Sequence, residues 1–115
     1  MSCSVHPINS IPALVLFDTG ASHSFISQMF AERNEFNLDP MPKNLMVISP
    51  GAQMTTSKIS SGNEILIKGH IFLASLIALG YLDIDVILGM DWLKANKAQI
   101  NCVTKTITFL ILLAR

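Results

Sequence analysis

An aspartate stands at the end of an apolar run, and a Thr-Gly pair follows at once: Leu14-Val15-Leu16-Phe17-Asp18-Thr19-Gly20-Ala21-Ser22. The chemistry that uses this arrangement is paired-carboxylate hydrolysis. A rigid strand delivers the Asp18 carboxylate to a fixed place. The Thr19 hydroxyl can lock the turn by hydrogen bonding. Gly20 has no Cβ, so a second backbone or a substrate can approach closely. An Asp before a Gly is also an ordinary turn. Two features of the context argue for the catalytic reading. Four apolar residues lead directly into Asp18, and a second apolar stretch ending in glycine, Val86-Ile87-Leu88-Gly89, closes 71 residues after it.

Other constellations carry less. Gly20-Ala21-Ser22-His23-Ser24 resembles a nucleophile elbow but lacks the closing glycine, and a histidine next in sequence is poorly placed to act as the base of Ser22. His23 reads instead as a surface residue at a helix start. His6, His23 and His70 have no paired spacing, and Cys3 and Cys102 match no zinc pattern, so no metal is expected. Cys102 fits a small buried side chain in a strand. The glycine spacing forms no phosphate-binding loop, so no nucleotide cofactor is expected, nor any other cofactor.

Composition bounds the rest. The chain has 115 residues, long enough for one hydrophobic core, and we read residues 1–115 as a single domain. Half of the residues are hydrophobic and 14% are charged, which excludes a disordered chain. Eight basic residues balance eight acidic ones, so nothing attracts nucleic acid or an anionic membrane surface. The longest apolar runs are too short to span a bilayer, and Met1 to Ser10 is not a signal peptide. Two cysteines favour a reducing, intracellular compartment. So few charges leave apolar surface for a partner to cover.

About seven short strands, one or two short helices and frequent turns give an all-β domain, a small closed barrel or sandwich. Ile11 to Phe17 reads as a buried strand. Phe25, Ile26, Met29 and Phe30 have helical spacing, which predicts a helix over 22–33 capped by Ser22 or Ser24. Pro40 and Pro42 mark a loop, Leu45 to Ile48 a strand, and Ser49-Pro50-Gly51 and Ser60 to Asn63 two turns. Ile65 to Lys68 and Ile71 to Ile77 are strands parted by Gly69. Asp85 to Leu88 is another. Asp91 caps a helix running to Lys97, with Trp92 as a core anchor. Asn101 to Leu112 ends the chain as one or two strands. Met41, Met46, Met54 and Met90 read as core filler.

Phe17-Asp18-Thr19-Gly20-Ala21-Ser22-His23-Ser24-Phe25-Ile26-Ser27 resembles the active-site signature of retropepsins, the aspartic proteases of retroviruses and long-terminal-repeat retrotransposons. Asp85-Val86-Ile87-Leu88-Gly89-Met90-Asp91-Trp92-Leu93 resembles their second signature. The likeness is greatest to the protease segment of plant Ty3/gypsy-type polyproteins, and it runs from about residue 11 to 109. It implies the acid-protease fold and a homodimer. Asp39, Asp83, Asp85 and Asp91 do not repeat the motif, so each chain offers one catalytic aspartate, Asp18, and a dyad needs two chains.

The resemblance also implies roles for the neighbours. Two carboxylates a few ångströms apart share one proton; the ionised member activates water and the protonated one donates to the scissile carbonyl, which gives an acid-shifted activity. Thr19 hydrogen-bonds across the dimer, Gly20 lets the two loops meet, and Ser22 supports the loop. Ala21 borders the groove for a polypeptide substrate. Ile87, Leu88 and Gly89 pack behind the loop as structural residues. A flap is expected over 47–60, with Gly51 beside its tip and Ser61-Gly62 as a competing tip. The location implied is cytoplasmic, including virus-like particles.

A second reading is a non-catalytic descendant that keeps the fold as a dimerisation or peptide-binding module. It draws on the ends of the chain. Met1 stands almost on the first strand, and Leu110-Ile111-Leu112-Leu113-Ala114-Arg115 stands where relatives continue into further polyprotein, as in a truncated reading frame.

Overall fold

The computed structural model describes residues 3–49, 52–80, 82–101 and 106–109. Cys102, Pro50 and Gly51 lie outside them, so the expectations for a buried Cys102 and for Gly51 at a flap tip are not addressed. The described residues form nine strands and two short helices. The strands are β1 (Cys3–Ile8), β2 (Ile11–Phe17), β3 (Phe25–Ser27), β4 (Asp39–Ser49), β5 (Ala52–Ile67), β6 (His70–Leu79), β7 (Val86–Leu88), β8 (Ala98–Asn101) and β9 (Thr106–Phe109). The helices are α1 (Gln28–Arg33) and α2 (Met90–Ala95).

Six strands close a barrel in the order β1-β2-β7-β3-β6-β5, and Ile8 pairing with Ile65 returns β5 to β1. Closure leaves those strands no free edge within the ring. β1, which the sequence reading did not foresee, enters through a two-residue hairpin. Asn9 and Ser10 take φ of 50° and 67°, the left-handed pair that joins twisted strands without splaying them. β2 and β7 run parallel at the centre, with Val15 opposite Val86 and Phe17 opposite Leu88. Ile8, Val15, Ile26, Ile65, Leu76, Val86 and Leu88 are fully buried there, each contributing about 1.5–3 kcal/mol of apolar burial.

The helix expected over 22–33 is shorter. Phe25 to Ser27 forms β3 between β6 and β7, and both Phe25 and Ile26 are buried. A strand covered on both sides needs no alternation, so its apolar pair could pass for a helical face. The helix starts at Gln28, and Ser27, not Ser22 or Ser24, caps it by accepting from the Phe30 amide. Met46 is also a correction: it is 58% exposed and fills no core.

The turn expected at Ser60 to Asn63 is a bulge inside the continuous β5, which excludes Ser61-Gly62 as a hairpin tip. Buried side chains hold it. Asn63 Nδ2 donates to the Ser60 carbonyl at 3.0 Å, to Ser60 Oγ at 3.1 Å and to the Ala74 carbonyl at 3.3 Å, while Asn63 Oδ1 accepts from Asn9 at 2.9 Å. Asn63→Leu keeps the volume and strands these partners away from water. The expected loss is about 3 kcal/mol, read from urea unfolding.

His6 packs edge-on against Phe17, and burial lowers its pKa while a hydrogen bond to the Leu66 backbone partly opposes the shift. The fold therefore holds the neutral ring. The unfolded chain takes up the proton first, so stability is full above the ordinary histidine range and falls as the pH drops through it and below. In His6→Phe that component of the pH dependence disappears, as thermal melts across the acid range will show.

Candidate active site

Asp18 follows β2 directly. Because Phe17 pairs with Leu88, the next amide, that of Asp18, donates to the Leu88 carbonyl at 2.9 Å. The Asp18 Oδ1 accepts from the Gly20 amide at 2.8 Å, and the Ala21 amide closes the turn on the Asp18 carbonyl at 3.2 Å. The carboxylate is thus oriented by its own loop while Thr19 and Gly20 stay exposed. Ala21 is half-buried.

The second motif lies under this loop, and four consecutive residues fasten it. Leu88 takes the Asp18 amide. The Gly89 amide donates to Ser24 Oγ at 3.0 Å, and the Met90 amide donates to the Ala21 carbonyl at 2.7 Å. Asp91 Oδ1 accepts from Ser24 Oγ at 2.7 Å. Gly89 is required by space: a Cβ there would stand 2.2 Å from the His23 carbonyl oxygen and 2.7 Å from that of Ala21. Ile87 is half-buried between Leu16 and Phe25, and Leu88 is fully buried.

Some positions differ from the sequence reading. Asp91 does not cap α2. Gly89 holds the cap position without a side-chain bond, and the Asp91 carboxylate turns to Ser24 and to the Trp92 amide at 2.6 Å. Trp92 is the expected anchor, 5% exposed, packed against Phe17 and Phe72, with its indole N–H donating to the Leu73 carbonyl. Ser22 is exposed, and its Oγ meets His23 Nδ1 at 2.8 Å, so an adjacent histidine does reach it. His23 sits in the loop, before a strand and not at a helix start. The hydroxyl that ties the loop to α2 belongs to Ser24. The sequence offered Ser24 only as a helix cap, and its place one residue before a buried apolar pair was the available signal. Asp85 was also missed. Its carboxylate accepts from the Leu14 amide and its carbonyl from the Ser27 amide, which joins β2 to β3.

The β4–β5 hairpin projects beyond the barrel. Its outer part pairs Leu45 with Thr56 through Ser49 with Ala52. On the inner side Leu45, Val47 and Met54 pack over Phe25, Ile77 and Leu79, with Ile87 in the same cluster. On the outer side Met46 and Ile48 are 58% and 71% exposed. This hairpin contains the described residues of the segment 47–60, and its apolar underside packs against Phe25 and Ile87. Among the described residues no group of three or more His, Cys, Asp or Glu is disposed to hold a metal ion, and no helix is long and apolar enough to cross a membrane.

This geometry agrees with the comparisons. The family model described as "Retroviral aspartyl protease" matches residues 2–112, and the chain belongs to that family. Among solved structures, the retroviral protease-like domain of Ddi1 from Leishmania major superposes with a TM-score of 0.74 at 17% identity, over 97% of this chain and 90% of that one. The EIAV protease complexed with the inhibitor HBY-793 gives 0.68 at 22% identity, over 87% and 91%. Both show the fold. Among curated proteins none matches the sequence.

The Gly89→Ala substitution tests the docking of the two motifs. A backbone collision cannot be relieved by a rotamer change, so we expect a loss of at least about 3 kcal/mol in denaturant unfolding.

Proposed function

We propose that the chain is an aspartic endopeptidase that acts as a homodimer, with Asp18 of each copy forming the dyad. The observation that carries this reading is the loop from Asp18 to Ser24. It holds one oriented carboxylate at the end of a buried strand, fastened from beneath by the second motif. Family membership supports peptide-bond hydrolysis, and retropepsins work as dimers. One chain supplies one half of the dyad.

In the dimer the ionised Asp18 takes a proton from a bound water as its oxygen attacks the scissile carbonyl carbon. The protonated Asp18 of the other copy donates to the carbonyl oxygen. Collapse of the tetrahedral species then sends a proton to the leaving amine. Thr19 and Gly20, exposed beside Asp18, are suited to meet their copies across the two-fold axis. Ala21 borders the substrate, and Ser22 stands at the groove edge with His23. The β4–β5 hairpin covers the peptide and excludes water. Its underside of Leu45, Val47 and Met54, facing Phe25 and Ile87, favours apolar substrate side chains. The EIAV fold neighbour is a protease complexed with an inhibitor, which supports the peptidase reading. We read the substrate as a polyprotein of a Ty3/gypsy-type retrotransposon of a plant, and the location as cytoplasmic or inside virus-like particles. We also take residues 1–115 as one domain.

A non-catalytic dimerisation or peptide-binding module is the second reading. The exposed Met46 and Ile48 on the outer hairpin face would suit it as contact residues.

The test is cleavage of a mixed peptide library at about pH 4 to 6 by wild type and Asp18→Asn, with sedimentation in parallel. The substitution is expected to lower turnover by about three orders of magnitude or more while the dimer persists, and pepstatin to inhibit the wild type. Turnover that survives Asp18→Asn defeats the dyad. A dimer that cuts nothing selects the binding module.

A further inference from the structure

The β4–β5 hairpin is attached to the barrel in an uneven way. Its inner rungs pair Asp39 with Ile59 and Pro40 with Lys58. The register then slips between Pro40 and Leu45, where Pro40 and Pro42 lack backbone donors. The ladder between β5 and β6 begins only at Ile59 opposite Ile77. Beyond that point the ribbon 45–49 with 52–56 has backbone partners only in its own two strands.

One polar contact reaches out of this ribbon. Thr56 Oγ1 donates to the Ala78 carbonyl of β6, the side-chain hydrogen bond that joins ribbon to barrel among the described residues. Ala78 pairs with Ile26 of β3, and the preceding residue, Ile77, donates its amide to the Ser24 carbonyl at 3.0 Å. The contact therefore ends on β6 backbone whose neighbouring residue, Ile77, is bonded to Ser24 of the loop. Thr56 lies opposite Leu45 at the base of the half-buried underside.

We propose that Thr56 is a positioning residue. It is the pivot that fixes the base of the ribbon to β6, so that strands 45–49 and 52–56 hold one register over a bound peptide. The inference rests on the reading of this hairpin as a substrate cover. Without the hydroxyl the base loosens in the free protein, and substrate binding must order it again. The expected kinetic signature is a higher KM with kcat and the pH profile unchanged.

The test uses the full chain and three variants. Thr56→Val removes the hydroxyl and keeps the shape, Thr56→Ser keeps the hydroxyl, and Thr56→Ala serves in place of Thr56→Val if the latter does not fold. Hydrogen exchange is followed over residues 45–56, with residues 11–17 as the barrel reference. Thr56→Val is expected to speed exchange in 45–56 about fivefold, the factor that one ordinary hydrogen bond supports, and to leave 11–17 unchanged. Thr56→Ser is expected to restore wild-type exchange, and KM for a cleaved peptide should rise by a similar factor in Thr56→Val. Unchanged ribbon exchange overturns the pivot. So does acceleration across the whole barrel, a Thr56→Ser variant that behaves like Thr56→Val, or a fall in kcat at constant KM. If no form of the chain cuts peptide, the peptidase reading fails, and the exchange data still decide whether Thr56 anchors the ribbon.

Discussion

The site depends on the seating of one backbone segment under another. Residues 88–91 lie beneath the loop 18–24, and each of the four supplies a bond to it. A loop that holds a carboxylate in one place has to be rigid, and a short loop has few apolar atoms with which to pack. Backbone hydrogen bonds solve this where two strands run parallel and end together. The pairing of Phe17 with Leu88 sets the register, so that the amide of Asp18 meets the Leu88 carbonyl. The rest follows from proximity. Gly89 has to be glycine because the His23 and Ala21 carbonyls occupy the place of a side chain.

The barrel exists to hold that register. A one-residue slip of β7 against β2 would exchange Val86 and Leu88, both fully buried, with half-buried Ile87 and would misplace every bond beneath the loop. Closure through β1 and β5 resists the slip, since no strand in the ring has a free edge along which to slide. Asp85 adds a local lock, bonding Leu14 on one side and Ser27 on the other. Trp92 carries the order outward, because α2 begins at the glycine beneath the loop and ends its first turn with the indole against Phe17 and Phe72.

The parts of this arrangement legible in the sequence were those with short-range signals. The apolar run of Ile11 to Phe17, the two motifs and the glycine break at Gly69 all lie on the elements they suggest. The all-β class also holds. The parts that were not legible depend on partners distant in sequence. Phe25 and Ile26 look helical until β6 and β7 flank them. Ser60 to Asn63 looks like a turn because its polar residues are turn formers, yet they bond to one another, to Asn9 and to Ala74 inside a continuous strand. Asp91 carries the residue type of a cap, but Ser24 across the fold takes its carboxylate. β1 gave little strand signal, for Pro7 and His6 interrupt it, and β2 imposes its extended form.

The same bonds leave little of the loop's backbone free. The amides of Asp18, Gly20 and Ala21 are all engaged within the chain, and Ser24 is spent on the second motif. The Asp18 Oδ1 is held by Gly20, while Oδ2 receives no hydrogen bond from the described residues. Beside it Thr19 and Gly20 are exposed, a small surface with one hydroxyl and little bulk. Gly20 carries no side chain there, so another backbone can approach the loop closely. The rigidity built beneath the loop then has a use. It fixes the Asp18 carboxylate within the chain before any other group approaches it.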